Sequence, residues 1–267
     1  MSSDAVALIT GASSGLGATY ARQLAAQGYN LILVARRRER LAALAAELEE
    51  RHAVDAQVLA ADLSTTDGVE RVQERIAELP ALDVLVNNAG FGIVDEFARG
   101  ELDRHLDMIH VHVIASVRLC RAALPGMIAR GRGSIINVSS LSAFIPLGNV
   151  TYAGTKAYLV AFSRALQIEL AGTGVRVQAL CPGFTYTGFH DTPELAASFD
   201  RAQIPRLLWM PADRVVAASL RALKRRGRRV VYVPGWQNRL FAAIARNSVV
   251  ALLIAAAGKE KFVPDRA

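Results

Sequence analysis

Seven short runs along the chain are apolar with almost no polar interruption: residues 5–10 (AVALIT), 30–35 (NLILVA), 55–62 (DAQVLAAD), 82–90 (LDVLVNNAG), 133–140 (GSIINVSS), 175–183 (VRVQALCPG) and 228–235 (RRVVYVPG). A strand with one face in water alternates apolar and polar residues. These runs do not, so each is predicted to be buried on both faces. The segments between them are long enough for helices. In RLAALAAELEERH, Leu41, Leu44 and Leu48 fall on one helical stripe, and GATYARQLAAQG runs to Gly28, which is placed as a C-cap. Strands alternating with helices predict an α/β fold, a doubly wound and mostly parallel sheet of about seven strands with helices on both faces. Such sheets bind ligands beyond the carboxyl ends of their strands. The polar and glycine-rich motifs of this chain fall at those ends.

A length of 267 residues suits one domain of this kind, and 52% hydrophobic against 21% charged residues provides for a sizeable core. No repeat or linker divides the chain. It is read as one domain over residues 1–236, followed by an apolar extension, 237–267, that packs on the same domain or on an oligomer partner. Cys120 and Cys181 are far apart and lack any Cys-x-x-Cys or Cys/His spacing, which argues against a disulfide framework and a metal site. The first residues, MSSDAVALITGASSG, do not read as an export signal, and a cytoplasmic location is expected. Net charge is +7, concentrated partly in residues 36–40 (RRRER) and 224–229 (KRRGRR). These clusters lack aromatic interleaving and any nucleic-acid recognition motif, so an anionic cofactor is the better partner and nucleic acid is not expected.

The first strand runs into TGASSGLG, where Gly11, Gly15 and Gly17 bracket Ser13, Ser14 and Leu16 in a tight turn before a helix. Glycine lets the backbone approach a pyrophosphate, and a helix N-terminus offers unpaired N–H groups and a positive dipole end. The turn is therefore assigned to dinucleotide phosphates. The second strand ends where an adenosine ribose would lie. An Asp or Glu there would accept hydrogen bonds from the 2′-hydroxyl, but Arg36 and Arg37 stand there instead. Guanidinium groups pair with a 2′-phosphate, so NADP(H) is expected over NAD(H), with Arg38 and Arg40 as solvated helix residues.

Together, TGASSGLG, NNAG (residues 87–90), NVSS (137–140), YAGTK (152–156) and PGFTYT (182–187) resemble the short-chain dehydrogenase/reductase family in its compact form, with its Rossmann-like fold. The resemblance runs from residue 5 to about residue 235. It implies that Asp62 and Leu63 meet the adenine. It also implies that Asn88, Ala89 and Gly90 pass beside the adenosine ribose while bracing the sheet, and that Pro182, Gly183, Phe184, Thr185 and Thr187 hold the nicotinamide and its phosphates. A homodimer or homotetramer is the family's usual assembly.

The chemistry follows from one spacing. Tyr152 and Lys156 lie one helical turn apart on one face, so the ammonium can lower the pKa of a phenol that ordinarily titrates near pH 10. Tyr152 is then the acid/base for a hydride transfer, and by similarity Lys156 also holds the nicotinamide ribose. Ser140 is assigned to the substrate oxygen. The commoner family separation from the tyrosine would select Ser139, but Ser140 is preferred because a deletion in the following loop is easier than a shift of a buried strand. The family's relay asparagine is missing. Its place falls on His112, with His110 close by, and His112 either carries the water relay with a pH response near neutrality or is a packed helix residue.

Phe91, Ile93, Phe144, Ile145, Pro146 and residues 188–210 surround the expected substrate position. They are mostly apolar, which suggests a small apolar ketone, aldehyde or secondary alcohol. A non-catalytic dinucleotide sensor is the competing function. In the C-terminal stretch the uninterrupted apolar run, residues 249–257, is nine residues long. Spanning a bilayer takes about 20. Packing on the pocket or an oligomer partner is favoured there over contact with a membrane surface.

Overall fold

In the computed structural model the described residues are 5–94, 96–145, 149–191, 195, 204–224 and 229–245. Pro146, most of the segment after Asp191, and the stretch from 246 onward, including the apolar run 249–257, lie outside them.

The main sheet comprises β1 (Val6–Thr10), β2 (Asn30–Ala35), β3 (Ala56–Ala60), β4 (Val84–Asn87), β5 (Gly133–Val138), β6 (Val175–Leu180) and β9 (Val231–Tyr232). Its order is β3-β2-β1-β4-β5-β6-β9, and every pairing is parallel. All seven predicted runs form strands of this sheet. A second, two-stranded ribbon pairs β7 (Thr185–Tyr186) with β8 (Met210–Pro211).

Strand periodicity explains why the runs are apolar throughout. Ala7 and Ile9 of β1 and Leu31 and Leu33 of β2 face one core, while Leu8, Ile32 and Val34 face the other. The first core is covered by α1 (Gly15–Ala25), α2 (Arg38–His52) and α7 (Ala212–Lys224), with Tyr20, Leu41, Leu48 and Val215 fully buried. The second is covered by α3 (Thr66–Ala77), α5 (Ala115–Ala129) and the end of α6 (Val150–Glu169). Leu41, Leu44 and Leu48 are core residues, as their spacing predicts. Helix α1 stops at Ala25, three residues before Gly28. Gly28 closes the following turn at φ +83° and donates its N–H to Ala25 O.

The stretch expected to form an apolar extension from residue 237 begins within α8 (Trp236–Ala245), which buries Asn238, Ala242 and Ala245. Ala242 packs with Val160, Ala179, Cys181 and Val233. The continuous helical stretch of α4 (Leu102–Ile109), a π-helical turn (His110–Ile114) and α5 is long and apolar enough to cross a membrane by composition. Half of its most apolar window is buried inside the protein, where it covers the second core.

A close backbone approach lies where β1 turns into α1. A Cβ on Gly17 would overlap the Gly11 carbonyl and sit 2.6 Å from Asn88 Nδ2. Gly17→Ala must push α1 off the strand, at a cost of about 1–3 kcal/mol. Urea unfolding should show that loss, together with weakened dinucleotide binding. An alanine variant as stable as wild type would mean that this contact relaxes freely.

Candidate active site

Because the strands are parallel and in register, the carboxyl ends of β1, β4, β5 and β6 meet along one edge. Buried polar residues there need partners within the protein. Thr10 Oγ1 donates to Val86 O (3.3 Å) and accepts the N–H groups of Asn88 (2.9 Å) and Ala89 (3.0 Å). The Asn88 amide in turn donates to Thr10 O (2.9 Å) and Gly11 O (3.3 Å). The NNAG turn is thus fixed to the root of the glycine loop, and Asn88 serves as its brace. Asn87 Nδ2 donates to Asn137 Oδ1 (2.9 Å), and Asn137 Nδ2 donates to Ser163 Oγ (3.0 Å), which ties β4, β5 and α6 together in the interior. The role of Asn137 went unread in the sequence, although it opens the NVSS motif.

Gly11 (φ +66°) and Gly15 (φ +55°) both adopt left-handed backbone, and a Cβ on Gly11 would lie 2.8 Å from Asn88 Nδ2. Ser14 precedes α1 without capping it through its side chain, so its hydroxyl leaves the first-turn N–H groups uncapped. The Ser13 and Ser14 hydroxyls instead accept hydrogen bonds from Arg37 Nη2 (2.9 and 3.1 Å), which draws that guanidinium over the loop. Arg36 reaches toward Asp62, 3.9 Å away, with its side chain 72% exposed. Asp62 accepts from the N–H and hydroxyl of Ser64, and Leu63 is buried. Thr187 lies across the loop, its Cβ 3.3 Å from where a Cβ on Gly15 would be. Pro182 O accepts the Leu141 N–H (3.0 Å), Gly183 packs against Asn238, and Thr185 Oγ1 donates to Gly183 O (2.9 Å). Phe184 packs on Trp209, with ring centroids 5.4 Å apart.

Helix α6 begins beside this loop. Asn149 caps it by accepting the Tyr152 N–H (3.0 Å), which places Tyr152 in the first turn. The Ser140 hydroxyl accepts the Ser142 N–H (3.1 Å), and the same side chain faces the Tyr152 phenol closely enough to oppose the effect of burial on it. Ser139 faces the helix, its hydroxyl donating to Lys156 O (2.7 Å) at 2% exposure. Of the two serines, Ser140 is therefore the one that meets the phenol. Lys156 is 5% exposed, its ammonium donates to Val138 O (2.9 Å), and it lies 5.5 Å from the centroid of the Tyr152 ring. Burial lowers the Lys156 pKa to about 8. The expected lowering of the Tyr152 pKa is not what this geometry gives. Burial pushes it up to about 12 against the opposing hydrogen bond from Ser140, so the phenol stays protonated near neutrality.

His112 is 1% exposed, and both its ring nitrogens are engaged. Nε2 accepts the Phe91 N–H (3.2 Å), so Nδ1 carries the proton and donates to Thr155 Oγ1 (2.9 Å). Thr155 donates onward to Tyr152 O (2.9 Å). Neither nitrogen is left for a water, so the relay expected of His112 has no atom to run through. Burial and the Lys156 ammonium also hold its pKa well below 6.5, which removes the expected pH response near neutrality. A Cβ on Gly90 would lie 2.7 Å from His112 Nε2, which explains the glycine that ends NNAG.

On the substrate side, the Phe189 ring lies 6.1 Å from that of Tyr152, and a Cβ on Gly92 would lie 3.1 Å from Leu195 and 3.2 Å from Phe189. Phe91 packs edge-on against His112 (5.9 Å), while Ile93 and Ile145 are core residues.

The chain matches the short chain dehydrogenase family over residues 5–195. It belongs to that family. Among curated relatives it is 31% identical to very-long-chain 3-oxoacyl-CoA reductase-A of Danio rerio over 251 residues, covering 89% of this chain and 74% of the relative. It spans only 54%, 56% and 60% of the length of three others. Among solved structures, a short-chain dehydrogenase from Sphingobium yanoikuyae in complex with NADPH superposes with a TM-score of 0.80 at 33% identity, over 98% of both chains. The bulky-bulky ketone specific alcohol dehydrogenase from Comamonas testosteroni superposes at 0.77 and 32% identity, over 92% of this chain and 93% of that one. Membership accounts for the order of the five motifs.

The His112 environment has a consequence for stability. Below pH 6.5 the unfolded chain binds a proton at this residue and the folded chain does not, so stability falls as the pH drops. His112→Gln removes the titration. Its unfolding free energy should fall less steeply below that pH, by up to about 1.4 kcal/mol per pH unit. Parallel slopes in chemical denaturation from pH 6.5 to 5 would show that His112 is not held neutral.

Proposed function

We propose that this chain is an NADP(H)-dependent oxidoreductase of the carbonyl reductase and alcohol dehydrogenase type, moving a hydride between nicotinamide and an apolar ketone, aldehyde or secondary alcohol. The observation that carries the reading is the meeting of Ser140, Tyr152 and Lys156 at the end of β5, beside a glycine loop that has no room for side chains. The glycine loop and the uncovered start of α1 would hold the pyrophosphate, with Arg37 and Arg36 at the 2′-phosphate and Thr187 closing over the loop. NADP(H), when bound, supplies or accepts the hydride. The remaining work falls to the chain's own groups.

A Tyr152 that is protonated near neutrality is the form that donates to a carbonyl oxygen, which is the proton that reduction requires. Ser140 steadies the oxygen as charge gathers on it. The Lys156 ammonium, held at its distance by Val138 O, acts once the proton has left, by stabilising the phenolate. The aromatic rings of Phe189 and Phe91 and the apolar Leu195 favour a carbonyl flanked by large apolar groups. The names of two relatives support an apolar carbonyl in part, since a bulky ketone carries large groups on both sides and a 3-oxoacyl chain carries an apolar acyl chain on one side.

NADPH oxidation against a panel of apolar ketones tests this reading. Tyr152→Phe should lower kcat by about 10²–10⁴-fold while leaving NADPH binding intact. Binding of NADPH with no turnover on any ketone would support a sensor instead. Replacing Arg36 by Asp together with Arg37 by Ala should reduce kcat/KM with NADPH by about 10–100-fold, and with NADH much less. An unchanged preference would remove these arginines from cofactor choice.

A further inference from the structure

The π-helical turn His110–Ile114 does something that a regular helix would not. Ala115 N–H bonds to His110 O, five residues back, and the wider turn sends two histidines to separate loops. His110 Nδ1 donates to Leu63 O (3.0 Å), in the loop after β3. His112 Nε2 accepts from Phe91 N–H, in the loop after β4, while its Nδ1 reaches Thr155 on α6. Thr155 closes the chain of bonds on Tyr152 O. One turn of helix therefore touches the two loops assigned to the adenosine half of the cofactor and the backbone of the acid/base residue.

A second pair of the same chemistry lies two turns earlier on this helix and one turn earlier on α6. His105 Nδ1 bonds Thr151 Oγ1 (2.7 Å), again joining the two helices, but its buried Nε2 has no hydrogen-bond partner among the described residues. The comparison separates two roles. His105 joins two helices, whereas His112 joins them and also grips a loop.

We propose that His112 and Thr155 are positioning residues that couple the Asn88–Phe91 loop to Tyr152, so that the seating of the cofactor and the placement of the phenol are set together. The inference rests on the reading of Tyr152 as acid/base. Both ring nitrogens of His112 and the Thr155 hydroxyl are committed to protein partners, so an effect of either on binding or turnover passes through those partners. The hydrogen bonds carry the coupling: Nε2 can accept from Phe91 only while Nδ1 holds the proton, and Nδ1 holds it because Thr155 accepts there.

Thr155→Val removes the hydroxyl and keeps the shape, and Thr155→Ser keeps the hydroxyl and loses the methyl. In the full chain, the valine variant should lower kcat about tenfold, the scale of a small misplacement of a reacting group, and the serine variant should recover most of it. Hydrogen exchange of the Phe91 amide, measured without cofactor or substrate, should quicken in the valine variant and not in the serine variant. His112→Gln should lower kcat without moving the limbs of its pH profile. Equal loss in the valine and serine variants, unchanged Phe91 exchange in the valine variant, or a shifted pH limb in His112→Gln would each overturn the coupling. Wild-type protein that reduces no ketone would instead overturn the proposed function, and the exchange measurement would still decide the coupling.

Discussion

A parallel sheet buried on both faces can present polar chemistry only at its carboxyl edge, and polar side chains there are too deep to rely on water. Partnering them within the protein is the requirement on which the rest of this structure depends. Thr10, Asn87, Asn88, Asn137 and Ser139 meet it by bonding one strand end to the next, or to α6. The result is an edge whose loops cannot move independently. The glycine loop is fixed to NNAG, NVSS to α6, and that helix to the π turn.

The same requirement explains the glycines better than turn flexibility does. Gly17 sits against the Gly11 carbonyl, Gly90 against His112, and Gly183 against Asn238. Each marks a place where two segments approach more closely than a methyl group allows. Only Gly11 and Gly15 in this region also need a left-handed backbone.

Much of this was legible in the sequence because it rests on local signals. Runs without alternation gave the strands, and the five motifs in order gave the edge along which the site residues gather. What was not legible depends on packing between distant segments. The partners of His112 come from residues 91 and 155, and no spacing within its own helix announces them. The upward shift of the Tyr152 pKa arises from burial that a Tyr-x-x-x-Lys spacing does not encode. The start of α8 was obscured by composition. The apolar character of residues 237–245 suggested a segment that packs on the domain or on an oligomer partner, and Asn238, Ala242 and Ala245 are the buried residues of that helix. Asn238, a polar residue in that run, was the available clue, since it is buried and bonded to Pro234 O.

Arg36 and Arg37 are exposed while Lys156 is buried and Tyr152 half-buried, and this contrast divides the site into two electrostatic regimes. Charges at the surface are screened within about 8 Å at physiological ionic strength, and buried pairs much less. On the proposed function, the choice between the two dinucleotides is therefore a property of the medium as well as of the protein, relaxing as salt rises. The proton transfer, enclosed by β5 and α6, is insulated from it. A single catalytic cycle would then have a selectivity that responds to its surroundings and a chemical step that does not.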